Sequence, residues 1–179
     1  MDKVRAALIG FGGMGQIYAR MLQAGMVPEM ELAGVCCRND RGQQLLREQF
    51  PGVAVYMDAE DMAAHSADYE AVIIVTPHTT HVSLGQKFAR LGKHILMDKP
   101  AGTDAGEVEE LVRYCDDQGI AFSVIFNNRQ LPAYKRVKEM LDQNVLGTLH
   151  RAVWVCNDWY RQSKKWAEDM NRHFSKEDV

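Results

Sequence analysis

The sequence predicts an α/β fold built on a doubly wound parallel sheet, and three observations carry that expectation. Short apolar runs alternate with stretches of helical periodicity up to about residue 125, the pattern of a sheet whose strands are joined by helices. Val72 to Val75 and Ile95 to Met97 are continuous rather than alternating, as strands covered on both faces by helices require. The first two runs of the chain are separated by a helical crossover of about a dozen residues, long enough to bring the second strand back parallel to the first.

The first run, Val4 to Ile9, ends in a glycine-rich turn, after which Met14, Ile17 and Met21 recur at helical spacing until Gly25. Leu32 to Cys36 is the second run and completes a strand, helix, strand unit. Val72 to Val75 and Ile95 to Met97 are two further buried strands. Between them the pattern predicts a helix from about Thr80 to Leu91, stopped by Gly92 in the C′ position. After Pro100, Asp104 and Glu107 make a capping-box-like start for another helix; Val108, Leu111, Val112 and Cys115 are its buried stripe and Gly119 its end. Ala121 to Phe126 closes the sheet. Residues 1–125 therefore read as one domain.

Residues 126–179 read as the incomplete start of a second α/β domain. Asn127, Asn128, Arg129 and Gln130 form a polar joint. Pro132 is placed to open a helix with Tyr134, Val137 and Leu141 facing inward, ended by Gly147. Ala152 to Cys156 is expected as one more strand, and Asn157 to Val179 is dense in charge, with Trp159 and Trp166 as its apolar anchors. A partial second sheet leaves Val153, Trp154 and Val155 without their usual partners, so self-association or mobility is expected there.

Composition narrows the function classes. Lys and Arg number 21 against 24 Asp and Glu, a formal charge of -3, which gives no basic field to draw the chain onto nucleic acid. Cys36 and Cys37 are adjacent while Cys115 and Cys156 lie far apart, so local spacing assembles no metal knuckle or redox pair. They read as reduced core thiols of a cytoplasmic protein. Ala71 to Val75 is only strand-sized, far short of the roughly 18 residues of a membrane helix. The apolar stretch after Arg5 is broken at once by glycines, unlike a secretory signal.

The turn Gly10-Phe11-Gly12-Gly13-Met14-Gly15 carries the chemistry. Gly10 allows a sharp turn, Gly12 lets the backbone approach a pyrophosphate, and Gly15 permits close contact of helix and strand. Placed between a strand and a helix, the triplet predicts a Rossmann-type dinucleotide site with the helix N-terminus facing the phosphates. Cofactor choice rests on the end of the second strand, at Cys37, Arg38 and Asn39. A small neutral residue followed by arginine leaves room and countercharge for a 2′-phosphate, which favours NADP over NAD. The alternative is a solvated Arg38 with Asp40 serving NAD. Two clusters follow later strands, Thr76-Pro77-His78 with His81, and Asp98-Lys99-Pro100. By chemistry alone His81 fits a helix-start histidine bonded to backbone better than a proton carrier, and Lys99 fits a surface lysine as well as a functional one.

Taken together, Gly10-x-Gly12-x-x-Gly15, Val75-Thr76-Pro77 with His81, Gly92-Lys93-His94, Asp98-Lys99-Pro100 and Arg129-x-x-Pro132 resemble the Gfo/Idh/MocA oxidoreductases, the glucose-fructose oxidoreductase and inositol dehydrogenase family. The likeness runs from the start of the chain to about Tyr160, nearest to the subgroup that acts on dihydrodiols and sugars with NADP. It implies that Lys99 stands between a substrate hydroxyl and the nicotinamide, as a proton relay or orienting donor. It also implies that Thr76, Pro77, His78, His81 and Asn127 border the cofactor. The family's Glu-Lys-Pro is here Asp98-Lys99-Pro100, one methylene shorter in the acid that commonly reaches a ribose hydroxyl. The family's second domain carries an Asp-x-x-x-His pair; Asp169 and His173 show that spacing without its glycine-rich, apolar context, and read as coincidence on a polar helix.

The expected activity is hydride transfer between a nicotinamide cofactor and a sugar, polyol or dihydrodiol hydroxyl. The alternative is a truncated, non-catalytic cofactor-binding module lacking a substrate site. On either reading the incomplete second domain offers a surface for a homo-oligomer.

Overall fold

The computed structural model describes residues 2–155. Six strands, β1 (Val4–Ile9), β2 (Met30–Cys36), β3 (Ala54–Tyr56), β4 (Ala71–Ile74), β5 (His94–Asp98) and β6 (Phe122–Ile125), form one sheet in the order β3-β2-β1-β4-β5-β6. Every pairing is parallel. The helices between them are α1 (Gly13–Gln23), α2 (Asp40–Gln49), α3 (Ala59–Ala64), α4 (His81–Arg90) and α5 (Ala105–Asp117). This is the doubly wound Rossmann architecture that the continuous apolar runs predict.

Alternation along β1 shows how the sheet is buried on both faces. Ala6 and Leu8 join Ala19 and Leu22 of α1 and Leu46 of α2 in one apolar layer. Ala7 and Ile9 join Phe88 of α4 and Leu111 and Cys115 of α5 in the other. Strand order reverses direction between β1 and β4, so the connections leaving those two strands diverge at their C-terminal ends, where sheets of this kind take ligands.

Helix ends follow a shared rule. In α1, α4 and α5 a glycine at C′ takes positive φ, at Gly25 (67°), Gly92 (73°) and Gly119 (66°). The next amide then bonds three residues inside the helix, as Met26 N to Met21 O (3.0 Å), Lys93 N to Phe88 O (3.0 Å) and Ile120 N to Cys115 O (2.8 Å). These are Schellman closures, which satisfy carbonyls left over at a helix end.

A second compact unit begins at Phe126. It contains α6 (Asn127–Gln130) and α7 (Pro132–Asp142), the latter with proline in its first turn as expected. Three expectations fail there. The helix stops at Asp142 rather than near Gly147, because Asn144 adopts φ 54° and the Val145 amide reaches Met140 O at 2.9 Å, the same closure made with asparagine. Tyr134, Val137 and Leu141 are exposed, not inward-facing. Residues 152–155 form no strand, and Trp154 instead meets Tyr134 edge to face at 6.4 Å. Cys156 and the stretch from Asn157 onward, with Trp159, Trp166, Asp169 and His173, lie outside the described residues.

In the first unit, the buried face of α1 is Gly15, Ala19 and Leu22, while Met14 and Ile17 are exposed. The residues whose recurrence marks the helix are thus not its buried face, because close approach at Gly15 fixes which side of the helix meets the sheet.

Buried acids make the core sensitive to alkali. Burial, reinforced by the Asp58 charge, raises the Cys36 thiol from its ordinary 9.0 to about 12, and burial likewise raises Tyr69. In the unfolded chain Cys36 ionises near 9, so the stability it protects is whole below pH 9 and is lost as pH climbs toward 12. Urea midpoints measured at pH 8, 10 and 11 are expected to fall, with Cys36 contributing up to about 1.4 kcal/mol per pH unit above 9. Cys36→Ala should flatten that slope; an equal slope in the variant would refute the assignment.

Candidate dinucleotide site

Because all strands run parallel, the connections after β1, β2, β4 and β5 emerge at one edge of the sheet. That edge brings together the glycine turn, Cys37-Arg38-Asn39, Thr76-Pro77-His78 and Asp98-Lys99-Pro100. Asn127 opens α6 in the second unit.

The glycines of the turn divide by geometry. Gly10 has φ 99°, and a Cβ there would lie 2.7 Å from Val75 O. A Cβ on Gly15 would lie 2.1 Å from Gly10 O. At both positions the chain needs the missing side chain to close strand, turn and helix together. Gly12 and Gly13 differ, since a Cβ on either would meet nothing within 4 Å. The space they leave is open, in front of the first turn of α1. Gly12 is the N-cap and supplies no side-chain cap, and no acidic residue stands in the first turn. The first helical bond runs from Gln16 N to Gly12 O (3.0 Å), so the preceding amides have no carbonyl partner inside the helix. A glycine cradle open to solvent, with amides and the positive helix end behind it, fits a diphosphate. The Phe11 ring is buried edge-on against Phe50 at 5.9 Å, which leaves only its backbone to the turn.

At the end of β2 the Cys37 side chain turns inward. Its Sγ lies 3.5 Å from Asn39 Nδ2, and a Cβ on Gly42 would come within 2.4 Å of it. Burial raises this thiol, and a backbone bond from Asn39 opposes the rise. Asn39 caps α2 by accepting from Gly42 N at 2.7 Å. Gln43, buried in that first turn, donates to Cys37 O at 2.9 Å. Sequence reasoning missed Gly42 and Gln43; the only available signal was asparagine at the N-cap three residues before Gly42. Arg38 and Asp40 are exposed on either side of the cap.

After β4, Thr80 Oγ1 donates to Pro77 O (2.7 Å), which leaves the Thr76 hydroxyl to donate to Thr80 Oγ1 (2.6 Å). His81, the first residue of α4, is fully buried. Its Nδ1 lies 2.7 Å from Pro100 O and its Nε2 2.9 Å from Thr76 O. The His78 ring stands 5.7 Å from it. After β5, Lys99 is exposed and Asp98 Oδ1 accepts from the Lys99 amide at 2.9 Å, within its own turn. The Lys99-Pro100 peptide is cis.

Among the described residues no group of three or more His, Cys, Asp or Glu is disposed to hold a metal ion. Among them, too, no helix is long and apolar enough to cross a membrane.

Comparison with known proteins gives this edge a context. Inositol 2-dehydrogenase from Rhizobium meliloti is 28% identical over 155 residues, covering 87% of this chain and 46% of that protein. The NADP(+)-dependent scyllo-inositol 2-dehydrogenase of Bacillus subtilis is 26% identical over 146 residues, covering 82% of this chain and 39% of that protein. Among solved structures, scyllo-inositol dehydrogenase from Lactobacillus casei with bound NAD(H) and scyllo-inositol superposes with a TM-score of 0.74 at 26% identity, over 82% of this chain and 43% of that one. The chain thus spans less than half the length of each of these relatives. The model of the Gfo/Idh/MocA oxidoreductase family, described as an NAD-binding Rossmann fold, matches residues 4–126. With its glycine turn, its strand order and this match over most of its length, the chain belongs to the Gfo/Idh/MocA oxidoreductase family.

Proposed function

We propose that residues 1–125 bind a nicotinamide dinucleotide and that residues 126–179 begin the substrate domain of an oxidoreductase acting on a sugar, polyol or dihydrodiol hydroxyl. The observation that carries this is the open cradle at Gly12 and Gly13 in front of α1, at the point where strand order reverses. When bound, the dinucleotide supplies the hydride acceptor or donor. The chain's own residues do the rest. The amides at the start of α1 hold the diphosphate, and Thr76, Pro77 and His78 border the nicotinamide half. Lys99, exposed at the end of β5, orients the substrate hydroxyl and takes or gives its proton.

NADP is our preferred cofactor. The inward Cys37 and the capping role of Asn39 leave Arg38 as the cationic side chain at the end of β2, where a 2′-phosphate is read. Relatives of both kinds exist, one NADP(+)-dependent and one solved with NAD(H). The free, buried thiols Cys36, Cys37 and Cys115 support a reducing, cytoplasmic setting. The exposed Val153, Trp154 and Val155 support association of two copies, which sedimentation against concentration checks.

Calorimetry with NADPH and NADH tests the reading. Heat of binding is expected with both, stronger with NADPH, and Arg38→Ala should remove the difference. In a coupled assay, Lys99→Ala is expected to lower polyol-dependent reduction by about 100-fold while dinucleotide binding persists. No heat from either cofactor on a folded sample overturns the proposal. Binding without any polyol-dependent turnover favours the non-catalytic module.

A further inference from the structure

The hydrogen-bonded ladder between β4 and β5 has its last pair at Ile74 and Met97. Beyond it, the two connections run on to Thr76-Pro77-His78 on one side and Lys99-Pro100-Ala101 on the other. One side chain spans that gap. His81, at the start of α4, is fully buried and places Nδ1 2.7 Å from Pro100 O and Nε2 2.9 Å from Thr76 O. The two acceptors belong to different turns, and the ring is flat and rigid with its nitrogens on opposite flanks. The breadth of the buried ring therefore spaces the two turns.

We propose that His81 is a positioning residue, a buried clamp that sets where the Asp98-Lys99-Pro100 turn stands relative to the turn after β4, and thereby locates Lys99. Its bearing on chemistry rests on the proposed role of Lys99; the clamp itself does not. A neutral imidazole donates to one carbonyl only. We assign that proton to Nδ1, on the shorter contact, with Nε2 set against Thr76 O by packing. The Lys99 turn is then held mainly through Pro100 O. Packing supports the same hold, since a Cβ on Gly102 would come within 2.6 Å of Val82 on α4 and 2.8 Å of Val108 on α5.

The side-chain amide of asparagine reaches the position of Nδ1, and that of glutamine the position of Nε2. The clamp therefore predicts unequal rescue. The Ala101 amide nitrogen belongs to the same peptide group as Pro100 O, so its NMR shift reports what bonds that carbonyl. Measured on the full chain without dinucleotide, that shift is expected to move in His81→Ala, to stay near the parent value in His81→Asn and to approach the alanine value in His81→Gln. An unmoved shift in a folded His81→Ala overturns the proposal, and so does glutamine restoring it as well as asparagine. Should the alanine variant fail to fold, the contrast between asparagine and glutamine decides alone. Because the measurement needs no cofactor, a failed clamp leaves dinucleotide binding standing, and absent binding leaves the clamp standing.

Discussion

Gly15→Ala is expected to destabilise the first unit by about 3 kcal/mol and to abolish dinucleotide binding with it. The added Cβ would stand 2.1 Å from Gly10 O, with Val75 Cγ2 at 3.4 Å on its other side. A clash with the far end of a flexible side chain relaxes cheaply, but this obstacle is a backbone carbonyl. That carbonyl is fixed by its own neighbours, for the Gly10 amide bonds Cys36 O at 3.1 Å and the Val75 amide bonds Ile9 O at 2.9 Å. Relief therefore means pushing α1 off the sheet, which separates Ala19 and Leu22 from the layer they share with Ala6 and Leu8. Urea unfolding with matched slopes measures the loss. A decrease of less than about 1 kcal/mol would show that the helix shifts freely and that the close approach is not a constraint.

Gly12→Thr is expected to do the opposite, leaving stability within about 0.5 kcal/mol while weakening dinucleotide affinity about 100-fold, or about 2.7 kcal/mol. Gly12 is an N-cap with extended backbone (φ -73°, ψ -163°), a conformation open to any residue, and its Cβ direction is empty. Threonine and glycine are about equal as N-caps, so the helix start tolerates the change. The branched side chain would instead occupy the space a diphosphate must enter to reach the amides of α1. Unimpaired affinity in this variant would move the phosphates away from the cradle. The two substitutions lie three residues apart and separate building the turn from using it.

Much of this was legible from residue order. Val72 to Ile74 of β4 and Ile95 to Met97 of β5 are continuous apolar runs because both of their faces are covered, and such runs are visible without any structure. Asp104 was readable as a cap, and it accepts from the Glu107 amide at 2.9 Å. Between residues 40 and 70 the signal fades. α2 buries only Gln43 and Leu46, α3 only Met62, and β3 is a three-residue edge strand. Elements that bury so little leave no periodicity to read. In α1 the apolar spacing marks the helix without marking its buried face, since packing against Gly10 demands a residue with no side chain. At the site, the motif residues could be named, but not their grouping. That Cys37 points inward depends on Gly42, and that His81 joins two turns depends on Pro100, 19 positions away.

The Schellman closures of α1, α4 and α5 all fall at one rim of the sheet, just before β2, β5 and β6 begin. Each fixes the level at which its strand starts, so neighbouring strands are aligned before the opposite rim is reached. Length changes at the closed rim would displace whole ladders, whereas at the opposite rim the exposed positions Gly12, Arg38 and Lys99 can be rewritten with the scaffold left in register. The molecule thus separates an anchored margin from an editable one, and a library that varies specificity belongs entirely on the second.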